Sequence, residues 1–156
     1  MHRNAVRVQE ALVAAGSAAT VVELPSSART VAEAAASLGV TEGQIAKSLV
    51  FVVDGAAVLC ILSGDHRLDP ARLASQLGGQ VVDRADADTV REATGFPIGG
   101  VSPVGHPEGL TILVDRGLAA YDEVWAAAGT PHAVFRTSFE ELVAVSGGKP
   151  ADVRAG

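Results

Sequence analysis

The sequence contains one cysteine, Cys60, and two lysines, Lys47 and Lys149. A single cysteine excludes an internal disulfide and any multi-cysteine zinc site. His2, His66, His106 and His132 show no H-x-x-x-H or related spacing, so no metal and no cofactor is expected. Hydrophobic residues make up 48% of the 156 positions, yet no uncharged apolar run approaches the roughly 20 residues that span a bilayer. Nucleotide fingerprints are missing too. Gly147-Gly148-Lys149-Pro150 lacks the upstream glycine and the Ser/Thr of a P-loop, and no dinucleotide-binding glycine pattern occurs. Gly100-Val101-Ser102-Pro103-Val104-Gly105 is not the G-x-S-x-G of a nucleophile elbow, and Pro103 serves a helix start poorly.

The charge balance narrows the partners. A net charge of −6 argues against a protein that coats DNA or RNA through its phosphates. It is compatible with one that grips only the end of an RNA. The opening stretch MHRNAVRVQEALVAAG carries charges inside its apolar pattern and reads as an amphipathic helix, not a signal peptide. The expectation is a cytoplasmic protein with no membrane association. Its length fits a single domain over residues 1–156.

Local signals are dense. Thr30-Val31-Ala32-Glu33 is a capping box opening a helix that Gly39 closes. Thr41-Glu42-Gly43-Gln44 opens a short turn, and Ser138-Phe139-Glu140-Glu141 opens a last helix ending near Gly147. Asp69-Pro70 starts another helix with proline at its first position. A further short one runs over residues 86–93 to Gly95. Strands are predicted over residues 20–24, 48–53, 56–62, 80–84 and 110–115, with Asp54-Gly55 as a hairpin turn. Residues 123–128 and the AVFRT segment are read as a second hairpin. The mix implies an α+β (mixed α/β) domain with a mixed sheet, and the strand order is not legible.

Two segments stand out chemically. In Ile45-Ala46-Lys47-Ser48-Leu49-Val50-Phe51-Val52-Val53, strand alternation places Lys47 on the face of Leu49, Phe51 and Val53. A lysine there either snorkels from the sheet rim or is held in a pocket, where its ammonium can bind phosphate or polarise an ester carbonyl. The chain otherwise uses Arg, ten times, so this compact and tunable charge is a distinct choice. Residues 94–109 contain five Gly and three Pro, which neither helix nor regular strand tolerates. Such a loop, anchored by Phe96, Ile98, Val101 and Val104, can aim exposed backbone N–H groups at an oxyanion. Cys60 reads as core. Asp65-His66-Arg67 reads first as an exposed strand-end turn, and His132 as a turn residue.

Ala46-Lys47-Ser48-Leu49-Val50-Phe51, a hairpin, then Gly99-Gly100-Val101-Ser102-Pro103-Val104-Gly105 together resemble the YbaK/EbsC family. Its members include the editing domain inserted in bacterial prolyl-tRNA synthetases and free-standing relatives acting in trans. The resemblance implies a curled mixed β-sheet (pseudobarrel) covered by helices. It implies deacylation of tRNA mischarged with a small amino acid, of the Cys- or Ala-tRNA(Pro) type, without a metal. The same fold without chemistry, as a tRNA- or synthetase-binding module, is the alternative.

The resemblance also implies roles. Lys47 matches the essential lysine near the terminal adenosine and the ester. Gly99, Gly100, Val101, Ser102 and Pro103 match the G-x-x-x-P loop lining the aminoacyl pocket. Ser48 stands where cysteine-type members carry Thr and alanine-type members Asn. Gly129-Thr130-Pro131-His132 replaces a serine- and glycine-containing stretch. Ser48, Asp65 and His132 are therefore further candidates for substrate contact, and the amino acid stays open. The attacking group is water, or the substrate's own thiol where that amino acid is cysteine. Expected partners are the acceptor end of an aminoacyl-tRNA and a synthetase that presents it; the protein itself is expected to be a monomer or weak dimer.

Overall fold

The computed structural model describes residues 1–25 and 28–156. Its centre is the hairpin that Asp54-Gly55 announces. Strand β2 (Ile45–Val53) pairs antiparallel with β3 (Ala56–Ser63), in register from Ala46 opposite Ser63 to Val53 opposite Ala56. Asp54 and Gly55 take φ of 49° and 85°, the left-handed pair a two-residue turn of this hand requires.

Around it lie helix α1 (Arg3–Ala14), strand β1 (Val21–Glu23), helix α2 (Val31–Leu38), helix α3 (Pro70–Leu77), strand β4 (Val82–Arg84) and helix α4 (Ala87–Thr94). Strands β5 (Thr111–Asp115), β6 (Val124–Ala127) and β7 (Ala133–Thr137), helix α5 (Phe139–Ser146) and strand β8 (Lys149–Ala151) complete the chain. The helix starts follow the chemistry of the sequence. Thr30 and Glu33 form the full capping box of α2, Asp69 caps α3, Asp86 caps α4 and Ser138 caps α5. Short 3₁₀ turns occupy Glu42–Gln44 and Arg116–Ala120.

The eight strands form one mixed sheet in the order β1-β7-β6-β2-β3-β5-β8, with β4 attached to β2 off that path. β3–β5, β5–β8 and β2–β6 are parallel; the other pairs are antiparallel. The path is open, so this α+β fold is an unclosed sheet flanked by helices. Alternation sorts the core onto its two faces. Ala46, Val50, Leu59, Ile61, Ile112 and Val114 join Ala5, Val8 and Leu12 of α1, Phe96 and Leu142 of α5. Phe51, Val53, Val58, Cys60, Leu62 and Leu113 join Leu73 of α3 on the other face. Cys60 is fully buried, which pushes its thiol up to about 12.

One irregularity of the sheet prepares the site. The edge of β2 away from β3 is shared by two strands. β6 pairs with Ile45 and Ala46, and β4 pairs with Phe51, Val52 and Val53. Between them Lys47, Ser48 and Leu49 have no strand partner on that edge among the described residues.

Candidate active site

A cavity of about 270 Å³ fills the split between β4 and β6. Its walls are Ala46, Lys47, Ser48, Leu49 and Val50 of β2, Arg84 and Ala85 at the end of β4, and Trp125, Ala126 and Ala127 of β6. Ile98, Gly99 and Val101 of the glycine-rich loop close one side, with Pro131 and Ala133 of the β6–β7 hairpin. The start of α2 contributes Thr30, Val31 and Ala34. The walls are mainly apolar, with several alanines beside Leu49, Ile98 and Trp125, and the volume suits a small group.

Lys47 is half-buried and fixed. Its ammonium donates to the carbonyl oxygens of His66, at 2.6 Å, and Gly64, at 3.4 Å. An ammonium has three donors, so one N–H remains for a ligand. Burial lowers the pKa of the amine; Arg67 and Arg84 push the same way, while Asp65 and Asp115 oppose them without reversing the balance. The ammonium is thus neither a free snorkel nor a member of an ion pair.

The turn holding those carbonyls is itself fixed. Gly64 is required there because a Cβ would run into the carbonyl oxygen of Glu42. His66 Nδ1 lies 2.7 Å from a carboxylate oxygen of Asp115, and Asp115 is only 2% exposed. Asp115 also accepts the N–H groups of Ser63 (3.0 Å) and Gly117 (2.8 Å). With Nδ1–H donating to Asp115, Nε2 is left to accept from Arg154, 3.3 Å away. The reading of Asp65-His66-Arg67 as an exposed turn is therefore corrected at His66, which is packed and paired. Its partner lies 49 residues away, and no local signal could have shown it.

Five candidate residues fall outside the cavity wall. Gly100 lies behind it, against Thr130 of the hairpin, where a Cβ would come within 2.8 Å of the Thr130 Cα. Ser102 is 0% exposed, and its hydroxyl accepts the Val104 N–H at 3.1 Å. That removes it from any role as an accessible nucleophile. Pro103 is buried and its carbonyl meets His106 Nε2 at 2.9 Å. Asp65 lines a neighbouring hollow beside Lys47, 3.0 Å from Ser63 Oγ. His132 sits next to the wall residue Pro131; its own carbonyl accepts the Leu24 N–H.

The loop also departs from the expected exposed cradle. Residues 100–104 are buried, while Ile98, expected as an anchor, is 57% exposed at the cavity rim. Phe96, Val101 and Val104 do anchor the loop in the core. The Gly100 N–H is used on the Pro97 carbonyl and the Val104 N–H on Ser102. Among the described residues, the N–H groups of Gly99 and Val101, both at the cavity, make no such bond. The Ser48 hydroxyl, also in the wall, is buried and has no partner among the described residues.

Lys47, Ser48, Gly99 and Val101 are thus brought together. Pro131 joins them from the Gly129–His132 stretch noted in the sequence, while Arg84, Trp125 and Ala126 join without a sequence signal of their own, since the sheet split depends on strand order. Among the described residues no group of three or more His, Cys, Asp or Glu is arranged to hold a metal ion.

Residues 25–145 match the family described as "Aminoacyl-tRNA editing domain". The chain belongs to that family. The chain superposes over 100% of its length on 99% of a candidate trans-editing enzyme for prolyl tRNA synthetase, with TM-score 0.94 and 47% identity. It is 38% identical over 88 residues to proline–tRNA ligase of Streptococcus sanguinis (strain SK36), covering 56% of this chain. It is 34% identical over 92 residues to the Geobacillus kaustophilus (strain HTA426) ligase, covering 59%. The matched part is 14% and 16% of those two ligases, so the chain spans only a small piece of the curated relatives it matches. No helix among the described residues is long and apolar enough to cross a membrane.

Proposed function

We propose that the chain, as one editing domain acting in trans in the cytoplasm, hydrolyses the ester that joins a wrong, small amino acid to tRNA. The observation that carries this reading is the seat of Lys47. The carbonyls of Gly64 and His66 hold its ammonium beside the neighbouring hollow, and Lys47 is also part of the wall of the cavity that Gly99 and Val101 line.

The chemistry needs little more. An aminoacyl ester is already activated, so the site has to position it, stabilise the developing negative charge and admit a nucleophile. The free N–H of Lys47 and the uncommitted N–H groups of Gly99 and Val101 are donors of the kind that charge needs. Water attacks the carbonyl carbon, the bond to the ribose oxygen breaks, and free amino acid and tRNA leave. Where the amino acid is cysteine, its own thiol can take the place of water in the first step. Arg67 and Arg84, which flank Lys47 electrostatically, suit the phosphate of the terminal nucleotide.

Ser48 is a polar wall residue suited to reading the amino acid. Its unpartnered hydroxyl favours a substrate that offers it a donor or an acceptor, because an unmade buried hydrogen bond is costly. Size alone discriminates weakly, about 1–3 kcal/mol per methylene. Of the remaining candidates, Gly100, Ser102 and Pro103 shape the loop behind the wall, and Asp65 and His132 border it. The natural partner is the acceptor end of an aminoacyl-tRNA, presented by a synthetase of the prolyl type.

The test is a deacylation panel with Ala-, Cys-, Ser- and Thr-charged tRNA. Turnover of at least one charged tRNA well above spontaneous hydrolysis supports the proposal. Spontaneous rates across the whole panel and with tRNA(Pro) carrying non-protein amino acids would refute it.

A further inference from the structure

Next to the start of the glycine-rich loop lies a hollow of unusual charge. Arg3 and Arg7 of α1, Arg91 of α4, His2, Gly95 and Pro97 line it, and no carboxylate does. In a chain of net charge −6 this is a local reversal of sign. Arg7 is already engaged: it donates to the Gly95 carbonyl at 2.8 Å and its guanidinium stacks 4.3 Å from the Phe96 ring centroid. Arg3 and Arg91 are exposed, and among the described residues neither makes an ion pair. Arg3 and Arg7 also precede residues 25–145, so the family match does not account for them.

The position of the hollow suggests its ligand. Pro97 lines the hollow, while Ile98 and Gly99 line the cavity. Consecutive Cα atoms are about 3.8 Å apart, so the two concavities adjoin at residues 97–99. An RNA whose 3′ end enters the cavity carries closely spaced phosphates past this corner. Guanidinium forks match phosphate oxygens bidentately.

We propose that Arg3 and Arg91 form a phosphate-binding surface for the acceptor stem of the tRNA. The proposal rests on the deacylase reading for the choice of RNA, but its test does not depend on turnover. Binding of uncharged tRNA is measured by fluorescence anisotropy over a series of salt concentrations. The R3A/R91A double variant is compared with wild type and with R72A/R116A, which loses the same charge from arginines that face Asp69 and Asp152. Arg7 is left in place because it holds the loop.

Kd for R3A/R91A rises on the order of tenfold, and the slope of log Kd against log salt falls by about two, one per arginine. R72A/R116A stays at the wild-type values. An unchanged Kd and slope in R3A/R91A, an equal loss in R72A/R116A, or no binding by the wild type would each overturn the proposal. Hydrolysis of an aminoacyl-adenosine ester, which has no phosphate, runs in parallel and is unaffected by R3A/R91A. If the wild type cleaves neither this ester nor charged tRNA, the deacylase reading fails while the anisotropy data still decide the role of the hollow.

Discussion

Lys47 Nζ lies 2.6 Å from the carbonyl oxygen of His66. The His66 ring is in turn held at 2.7 Å by the buried carboxylate of Asp115. The seat of the ammonium is therefore set from β5, across the sheet from the cavity. Removing either ring or carboxylate lets the turn at residues 64–66 relax and the ammonium drift. His66→Ala is expected to lower kcat on the order of tenfold. In His66→Asn the amide N–H can replace Nδ1–H toward Asp115, so most activity returns, whereas His66→Gln does not rescue. Asp115→Ala leaves the Ser63 and Gly117 N–H groups unpaired and is expected to cost about 3 kcal/mol in urea denaturation. Equal rates for the Ala, Gln and Asn variants at His66 would remove this link.

The pH dependence follows from the depressed pKa of Lys47. Its amine loses the proton below the ordinary lysine value of 10.5, chiefly because it is buried. If the charged form works, kcat/KM corrected for spontaneous hydrolysis falls on an alkaline limb below that value. Arg84→Ala or Arg67→Ala removes a like charge and moves the limb up; Asp65→Asn removes an opposite charge and moves it down. Stability has the matching sign. Between the folded pKa and 10.5 the unfolded chain binds more protons, so stability rises with pH through that window. Lys47→Met abolishes this rise. A limb that stays in place in all three charge variants would contradict the assignment.

Gly100 tests the loop. A Cβ there would lie 2.8–2.9 Å from the backbone of Thr130, which cannot yield as a side-chain tip would. Gly100→Ala is expected to push the loop off the β6–β7 hairpin and open the cavity wall. Stability falls by about 1–3 kcal/mol, and kcat/KM falls with it. Thermal melts and the deacylation rate, measured on the same preparation, check both effects.

The legible parts were those written locally. The Asp54-Gly55 turn, the caps at Thr30, Asp69, Asp86 and Ser138, and the second hairpin all appear where their residues put them. The YbaK/EbsC resemblance carried the family. What stayed hidden depends on contacts far apart in the chain. β8 is three residues with Pro150 at its centre, a poor strand signal until β5 is seen beside it. The β4–β6 split that makes the cavity needs the strand order, which periodicity does not encode. For the same reason the loop reads as exposed although residues 100–104 are buried, with Gly100 against Thr130 of the hairpin.

The most direct measurement is the single-turnover deacylation rate of wild type and Lys47→Ala on the charged tRNA that the panel selects. Lys47→Ala is expected to be slower by about 10²–10³-fold, the loss typical of removing one preorganised donor to an oxyanion, with an unchanged circular dichroism spectrum. A well-folded Lys47→Ala protein that deacylates at the wild-type rate would contradict the account.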